Sequence, residues 1–372
     1  MRPLRVAFLI PGLSGGGAER ATAALAGFLN QDRFEVCLVL ERDTPALYEV
    51  PLGIKLVSLR AVKTRGALRP LIKFLRDWKP DILYSALPHL NVLAVIASKL
   101  SLVSPKTVVS VHNNQKFELA AVQDGWLLKI LMPLVYKLCD AVVVVSEGIK
   151  EELIISGVAL TKLHVIYNPI DLNQISILSK EPVHHKWFDG SHSVVMAMGR
   201  LVSQKNYNLL LQSFLIIHKA LPKARLIILG EGELLHELLK LRAWLELDDV
   251  VDFVGVQVNP FSWLAKASCF VLTSEYEGFG MVLVEAMAVG VPVVSVDCKY
   301  GPAEILENGS KGMLVNDNTP KSVSAAILGV LDNPDLASSL IQKGLGRASD
   351  FDVHIPVRQL EKLFEGFFGF DP

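Results

Sequence analysis

Short, unbroken apolar runs recur along the chain, separated by longer stretches of helical period. Leu4–Ile10, Glu35–Leu40, Ile82–Ala86, Thr107–His112 and Ala141–Ser146 read as strands. Between them Ala18–Leu29, Leu68–Trp78, Leu90–Leu100 and Trp126–Cys139 read as helices. The rhythm resumes with Val194–Met198, Arg225–Leu229, Val250–Val254, Cys269–Thr273 and Val291–Val296. Apolar runs that do not alternate belong to strands covered on both faces, as in a parallel sheet between helical layers. Two such series predict two doubly wound α/β domains.

The break between them falls after Tyr167-Asn168-Pro169. Asp171, Lys180-Glu181-Pro182, His184-His185 and Asp189-Gly190-Ser191 then give a polar, turn-rich stretch ending at Ser193. The predicted organisation is a first domain over 1–170, a linker over 171–192 and a second domain over 193–350. A closing helix over 351–372, amphipathic across Val353–Phe368, is expected to return to the first domain. The length of 372 residues suits two domains of ordinary size, and 51% hydrophobic content with 20% charge can fill two cores and rules out a disordered chain.

Charge changes the picture more than composition does. The net charge of −1 gives no overall reason to expect a nucleic-acid partner. Residues 1–170, however, hold 20 Lys/Arg against 14 Asp/Glu, and residues 171–372 hold 17 against 24. A basic half beside an acidic one suggests that one half meets an anionic partner. Cys37, Cys139, Cys269 and Cys298 lie far apart without C-x-x-C spacing, which fits neither a zinc site nor a disulfide framework and suits a reducing compartment. The first apolar run turns into Pro11-Gly12 after about five residues, too short for a signal peptide. No run reaches the ~18–20 apolar residues of a membrane span. The expected location is cytoplasmic, with the inner membrane surface as a candidate contact.

In an open α/β sheet, ligands bind beyond the carboxyl ends of the strands, so the residues just after each strand carry the functional reading. Strand one runs into Pro11-Gly-Leu-Ser-Gly15-Gly16-Gly17-Ala-Glu-Arg20 and then a helix. The glycines allow close backbone approach and the helix start favours an anion, although a tight strand-to-helix turn would look the same. The loop is neither G-x-G-x-x-G nor a Walker A sequence. The second half opens with Gly199-Arg200-Leu-Val-Ser-Gln-Lys205-Asn. Two cations at a helix entrance suit a diphosphate, and alone they would equally be solvated surface charges. Glu277-Gly278-Phe279-Gly280-Met281 enters another helix, with Glu285 about one turn inside. Carboxylates there can accept from sugar or ribose hydroxyls; Glu277 could instead cap the helix. Glu285 sits in an apolar run, where a carboxylate needs a partner. Asp297 to Glu304 forms a further turn. His112 closes strand five beside Asn113 and Asn114, in a place that suits either a cleft-facing or a structural histidine.

Together, Ser-Gly-Gly-Gly-Ala-Glu-Arg, Gly-Arg-Leu-Val-Ser-Gln-Lys-Asn, Glu-Gly-Phe-Gly with a second Glu eight positions on, and Gly-Pro-Ala-Glu-Ile-Leu resemble the family 4 glycosyltransferases. The resemblance spans nearly the whole chain. It implies the GT-B architecture, two Rossmann-like doubly wound parallel-sheet domains facing a deep cleft, and a retaining, nucleotide-sugar-dependent transferase. Arg200 and Lys205, with Gly199, match the group that grips the donor diphosphate. Glu285 matches the acid on the ribose hydroxyls, and Glu277 the one on the transferred sugar, beside the amides of Phe279, Gly280 and Met281. Gly16 and Gly17 match the loop over the phosphates, and His112 a histidine near sugar and acceptor. Phe253, Val254 and Gly255 fall where the base pocket lies.

The implied reaction transfers a hexose or N-acetylhexosamine from a nucleoside diphosphate sugar, with uridine the expected base, to a hydroxyl of a glycan or lipid-linked acceptor. Cell-surface polysaccharide or glycolipid synthesis is the implied setting. No metal and no resident cofactor are expected. Asp350-Phe-Asp352, the clear Asp-x-Asp, lies far from the motifs and is expected to cap the final helix. The first domain would hold the acceptor. Lys63, Arg65, Arg69, Lys73, Arg76 and Lys79 surround the helix Leu68–Trp78, which suits anionic lipid or a lipid diphosphate, or is an ordinary amphipathic helix packed on its core. Trp126–Tyr136, with Lys116 and Phe117 before it, is a second candidate contact. Three other readings compete: a catalytically silent nucleotide-sugar-binding protein, a sugar-nucleotide epimerase of the same fold, and a nicotinamide-dependent dehydrogenase. The last would want G-x-G-x-x-G after strand one and an acid closing strand two, and Gly15–Gly17 fit it poorly.

Overall fold

A computed structural model describes residues 2–13, 16–45, 53–114 and 125–369. Ser14 and Gly15 of the first glycine loop, and Lys116 and Phe117, lie outside the described residues. Two compact units emerge, Met1–Pro169 with Val353–Pro372, and Ile170–Asp352.

The first unit runs β1 (Leu4–Ile10), α1 (Gly17–Phe28), β2 (Phe34–Leu40), β3 (Lys55–Ser58), α2 (Leu68–Trp78), β4 (Ile82–Ala86), α3 (Pro88–Ser101), β5 (Lys106–Val111), α4 (Gly125–Leu138), β6 (Ala141–Val144), α5 (Glu147–Ile155) and β7 (Leu163–Val165). Its parallel sheet has the order β3-β2-β1-β4-β5-β6-β7. Strand geometry sends alternate side chains to opposite faces. Val6, Phe8 and Ile10 of β1 therefore enter one core, against Leu25 and Leu29 of α1. Ala7 and Leu9 enter the other, against Leu71, Leu75 and Trp78 of α2 and Leu90 and Leu93 of α3. The apolar positions of α2 thus face inward, as in an ordinary amphipathic helix.

The second unit runs α6 (Leu172–Leu178), β8 (Ser193–Met198), α7 (Tyr207–Ala220), β9 (Ala224–Leu229), α8 (Leu235–Trp244), β10 (Val251–Gly255), α9 (Pro260–Leu264), β11 (Cys269–Leu272), α10 (Met281–Ala288), β12 (Val293–Val296), α11 (Pro302–Ile305), β13 (Met313–Val315), α12 (Pro320–Leu331) and α13 (Pro334–Ala348). Its parallel sheet has the order β10-β9-β8-β11-β12-β13. The chain reverses its direction of travel between β1 and β4 in the first sheet and between β8 and β11 in the second. In doubly wound folds such a reversal opens a crevice at the carboxyl ends of the two strands concerned.

The final helix, α14 (His354–Gly366), packs within the first unit. Val357, Leu360 and Phe364 join the core of Phe8, Phe34 and Tyr84. Glu361 accepts from the Asn30 amide at 2.8 Å, and Glu365 pairs with Arg33.

Two expectations need correction. The stretch 171–192 is not a bare linker: it contains α6, whose start Asp171 caps by accepting from the Gln174 amide at 2.9 Å. Asn259 donates to the Leu178 carbonyl and to Glu181, His185 meets Asp252 at 3.2 Å, and Trp187 is buried, so the stretch is fastened to the second unit. Nor does Asp350-Phe-Asp352 cap the last helix. Val353 holds that position without a side-chain cap, Asp350 accepts from Arg347 at 2.8 Å, and buried Phe351 lies under the Arg347 guanidinium.

Candidate functional site

The second unit's reversal point brings three loops together. After β8, Gly199 adopts φ +153° and the chain passes Arg200 before a 3-10 turn at Ser203–Lys205. Asn206 then caps α7, its side chain accepting from the Leu209 amide at 3.3 Å. After β11 the segment Thr273–Gly280 leads into α10. After β12 the chain turns at Gly301 into α11.

These loops are stitched to one another. The Gln204 side chain donates to the Tyr276 carbonyl at 2.9 Å, and the Glu275 amide donates to the Gln204 carbonyl at 2.8 Å. The Thr273 hydroxyl donates to the Lys205 carbonyl at 3.1 Å, and the Glu277 amide to the Lys299 carbonyl at 3.1 Å. Gly301 sits at φ +84°, and a Cβ there would stand 1.9 Å from the Phe279 carbonyl oxygen. Only glycine allows that approach.

Inside this frame Lys205 Nζ donates to Glu277 Oε1 at 2.5 Å, and the Ser274 hydroxyl donates to the same oxygen at 2.6 Å. The two side chains are 12% and 8% exposed. A lysine–glutamate pair this deep is paired because either charge alone would be costly. Tyr207 lies behind the pair, donating to the Gly199 carbonyl at 3.2 Å. Burial first, then the Glu277 charge, pushes the Tyr207 hydroxyl well above its ordinary pKa, so it stays a neutral donor. Burial also raises the Cys298 thiol, with Glu277 adding to the rise. Arg200, by contrast, is exposed and makes no ion pair among the described residues.

Glu277 does not cap α10. Gly280 holds that position at φ +97°, in the left-handed region, and no side chain caps the first amides. The Leu283 amide donates to the Gly280 carbonyl at 2.9 Å, and the amides ahead of it are those that a helix start leaves without an intrahelical acceptor, carrying partial positive charge. Gly278 and Phe279 are buried just ahead of them, and Met281 is half-buried. Glu285 is buried one turn along α10. Phe253, Val254 and Gly255 end the edge strand β10, two strands from β8. Phe253 packs on the core, and the Gly255 carbonyl accepts from the Gly230 amide at 2.9 Å, which sets this end beside the 230–232 turn.

In the first unit, Gly16 is extended at the start of α1 and its amide donates to Glu19 at 3.0 Å; a Cβ at Gly17 would meet nothing within 4 Å. His112 follows β5, with Nε2 2.8 Å from the Ser110 hydroxyl. Ser110 belongs to a buried polar chain: its carbonyl accepts from Asn91, whose Oδ1 accepts from Ser85. Burial pushes the His112 imidazole down to about 4, partly opposed by Asn168. One feature escaped the sequence reading: an acid does close β2. The Glu41 carboxylate is fully buried, accepts from Arg42 at 3.0 Å and lies 3.9 Å from His89 Nε2. A single Glu after an apolar run gives no hint of that burial. Among the described residues no three His, Cys, Asp or Glu side chains converge as a metal cage.

Two parallel doubly wound sheets, each with a reversal of strand order, are the architecture of the GT-B glycosyltransferases. The chain belongs to the family 4 glycosyltransferases. The model described as "Glycosyltransferase Family 4" matches residues 15–174, and "Glycosyl transferases group 1" matches 183–347. The chain is 29% identical, over 94% of its length and 96% of the relative, to the N-acetylgalactosamine-N,N'-diacetylbacillosaminyl-diphospho-undecaprenol 4-alpha-N-acetylgalactosaminyltransferase of Campylobacter jejuni. It is 28% identical, over 95% and 98%, to the amylovoran biosynthesis glycosyltransferase AmsD of Erwinia amylovora. In fold it is similar to Anabaena HepE, solved in complex with UDP and glucose, at a TM-score of 0.83, 21% identity and coverage of 98% and 100%.

Proposed function

We propose that the chain is a retaining, metal-independent transferase that moves a hexose or N-acetylhexosamine from a UDP-sugar to a hydroxyl of a glycan or lipid-linked acceptor. Cell-surface polysaccharide or glycolipid synthesis is the setting. The observation that carries the reading is the buried Lys205–Glu277 pair at the crevice of the second sheet, with Arg200 unpaired on the same loop. The names of the two bacterial relatives, one acting on a diphospho-undecaprenol glycan and one in amylovoran biosynthesis, support the acceptor class.

Each group has a task in this reading. Arg200, with no competing carboxylate, chelates diphosphate oxygens, and Lys205 adds a point charge. The free amides at the start of α10 receive the remaining negative charge. As the bond from the anomeric carbon to the diphosphate oxygen breaks, charge accumulates on the leaving group. Preorganised donors and cations stabilise that charge. The acceptor oxygen bonds to the anomeric carbon on the same face, and its proton passes to a leaving diphosphate oxygen. Glu285 accepts from the ribose hydroxyls, Glu277 from the sugar, and the 253–255 strand end borders the base. His112, neutral at physiological pH, offers a hydrogen bond toward sugar or acceptor. Gly16 and Gly17 leave room for backbone approach to the phosphates. The first unit takes the acceptor.

The test is a panel of nucleotide sugars scored by thermal stabilisation, because a ligand that binds only the folded state raises its melting point. A UDP-sugar should stabilise the protein, and Arg200→Ala/Lys205→Ala should lose both the shift and turnover. NMR of the product should show the donor's anomeric configuration, and turnover should survive EDTA. Full activity in the double variant would refute the assignment.

A further inference from the structure

We propose that the outer face of α3 and α4 is the surface by which this chain docks on an anionic phospholipid bilayer. α4 is apolar on both sides. Leu128, Met132 and Val135 are buried toward the unit's interior. Trp126, Ile130, Leu134 and Leu138 recur every four residues and so share the opposite face. All four are exposed, Trp126 at 66% and Ile130 at 64%. A surface helix facing water carries polar residues on that side. α4 packs against α3, which exposes Ile96 and Leu100 in turn, and Leu102 follows at 85% exposure. Exposed apolar side chains gathered on two packed helices mark an interaction site.

Charge selects the occupant. Lys99 on α3 and Lys129 and Lys137 on α4 are exposed, Lys129 beside the apolar face and Lys137 at its far end, and neither helix carries an Asp or Glu. Apolar anchors, a tryptophan at one end and lysines as the charged residues of both helices fit the boundary between acyl chains and anionic headgroups. The lysine stems can lie along the apolar surface while their charges reach the phosphates. With 14 residues α4 falls short of the ~20 needed to cross, and no helix among the described residues is long and apolar enough to do so; the face lies on the bilayer. This moves the contact away from the basic helix α2. Its apolar side fills the core, and Arg76 donates to the Leu100 and Ser101 carbonyls, closing the end of α3 instead of meeting a surface.

The proposal goes beyond the donor reading and does not rest on it. Flotation of the full chain with phosphatidylcholine vesicles, with and without phosphatidylglycerol, tests it. Wild type should float with the anionic vesicles and be released by salt. Ile130→Gln/Leu134→Gln should weaken partitioning by about tenfold per anchor, and Lys129→Gln/Lys137→Gln by roughly fivefold per charge at low salt. Unchanged melting of the variants shows that they fold. In the native sequence, quenching by brominated lipid should be larger than in Trp126→Phe. Absence of wild-type binding to anionic vesicles, or unaltered binding by the Ile130/Leu134 variant, overturns the proposal. So does a wild-type dimer in light scattering that the same variant dissolves, which would give the face to a second copy of the chain.

Discussion

Lys205→Met removes the cation from a pair the fold has almost closed to water. The Lys205 ammonium stands 2.5 Å from Glu277, and Ser274 donates to the same oxygen at 2.6 Å. Truncating one member of a buried pair costs about 3–5 kcal/mol, mostly because the other charge is stranded. Ser274 remains as a donor and Glu277 can take up a proton, so the lower end applies, about 3 kcal/mol. For a unit the size of the second one this lowers the melting temperature by roughly 6–12 °C. Glu277→Gln keeps an acceptor for both donors and should cost less. Lys205→Met/Glu277→Gln should then be more stable than the sum of its parts by about 2 kcal/mol, the coupling expected of contacting groups. Thermal scans of all four proteins measure this cycle, and repeating them with a UDP-sugar separates stability from binding. The double variant should regain stability without regaining the ligand shift. Strict additivity would refute the pairing, and a restored ligand shift would remove Lys205 from the donor site.

Three further outcomes follow from the same geometry. The folded His112 imidazole sits near 4 against an ordinary 6.5, so between those values the unfolded chain binds the extra proton. Stability of the first unit should therefore be full above pH 6.5 and fall as pH drops toward 4, by up to about 3 kcal/mol, and His112→Gln should flatten that slope in pH-dependent denaturant titrations. Gly301→Ala places a methyl 1.9 Å from the Phe279 carbonyl at a positive φ, so the Glu277 loop must move; a loss of about 2 kcal/mol or more and of the UDP-sugar thermal shift is expected. Phe364→Ala empties the contact with Phe8, Phe34 and Tyr84 and should cost the first unit about 3–5 kcal/mol, seen as a lowered denaturant midpoint.

The long apolar strands were legible because a central parallel strand must be hydrophobic on both faces, and β1, with Val6 to Ile10 fully buried, states this most plainly. The three strands that escaped, β3, β7 and β13, have four, three and three residues. Each pairs on one side only, β3 and β7 as the terminal strands of the first sheet and β13 as one of the second, and Lys55 of β3 is exposed. Short edges carry neither the length nor the apolar run that periodicity needs. The segment 171–192 misled for a related reason. Its polar composition suits a linker, but its ties run through Asn259 and Asp252, some seventy to eighty residues away in sequence. At the candidate site, spacing marked Arg200, Lys205 and Glu277 individually. It could not tell that Lys205 closes on Glu277 while Arg200 stays open, because that distinction is made by the Gln204 and Thr273 hydrogen bonds between loops.

That distinction bears on mechanism. A carboxylate that attacks the anomeric carbon needs a free lone pair aimed at it, and its nucleophilicity falls when cations and hydroxyls hold it. Glu277 Oε1 is held by both Lys205 and Ser274. Attack through Oε1 would break both bonds and strand the ammonium in the same low-dielectric pocket, so a double displacement would have to use Oε2 of a carboxylate whose charge Lys205 already draws on. In the same-face route proposed above the pair would stay closed, and Lys205 would act on the leaving diphosphate with the charge it already has. On that proposal Arg200, exposed and without an ion pair among the described residues, and Lys205, held by Glu277, would share the electrostatic work. Replacing Arg200 should accordingly weaken donor binding with little effect on melting, whereas replacing Lys205 must disturb both.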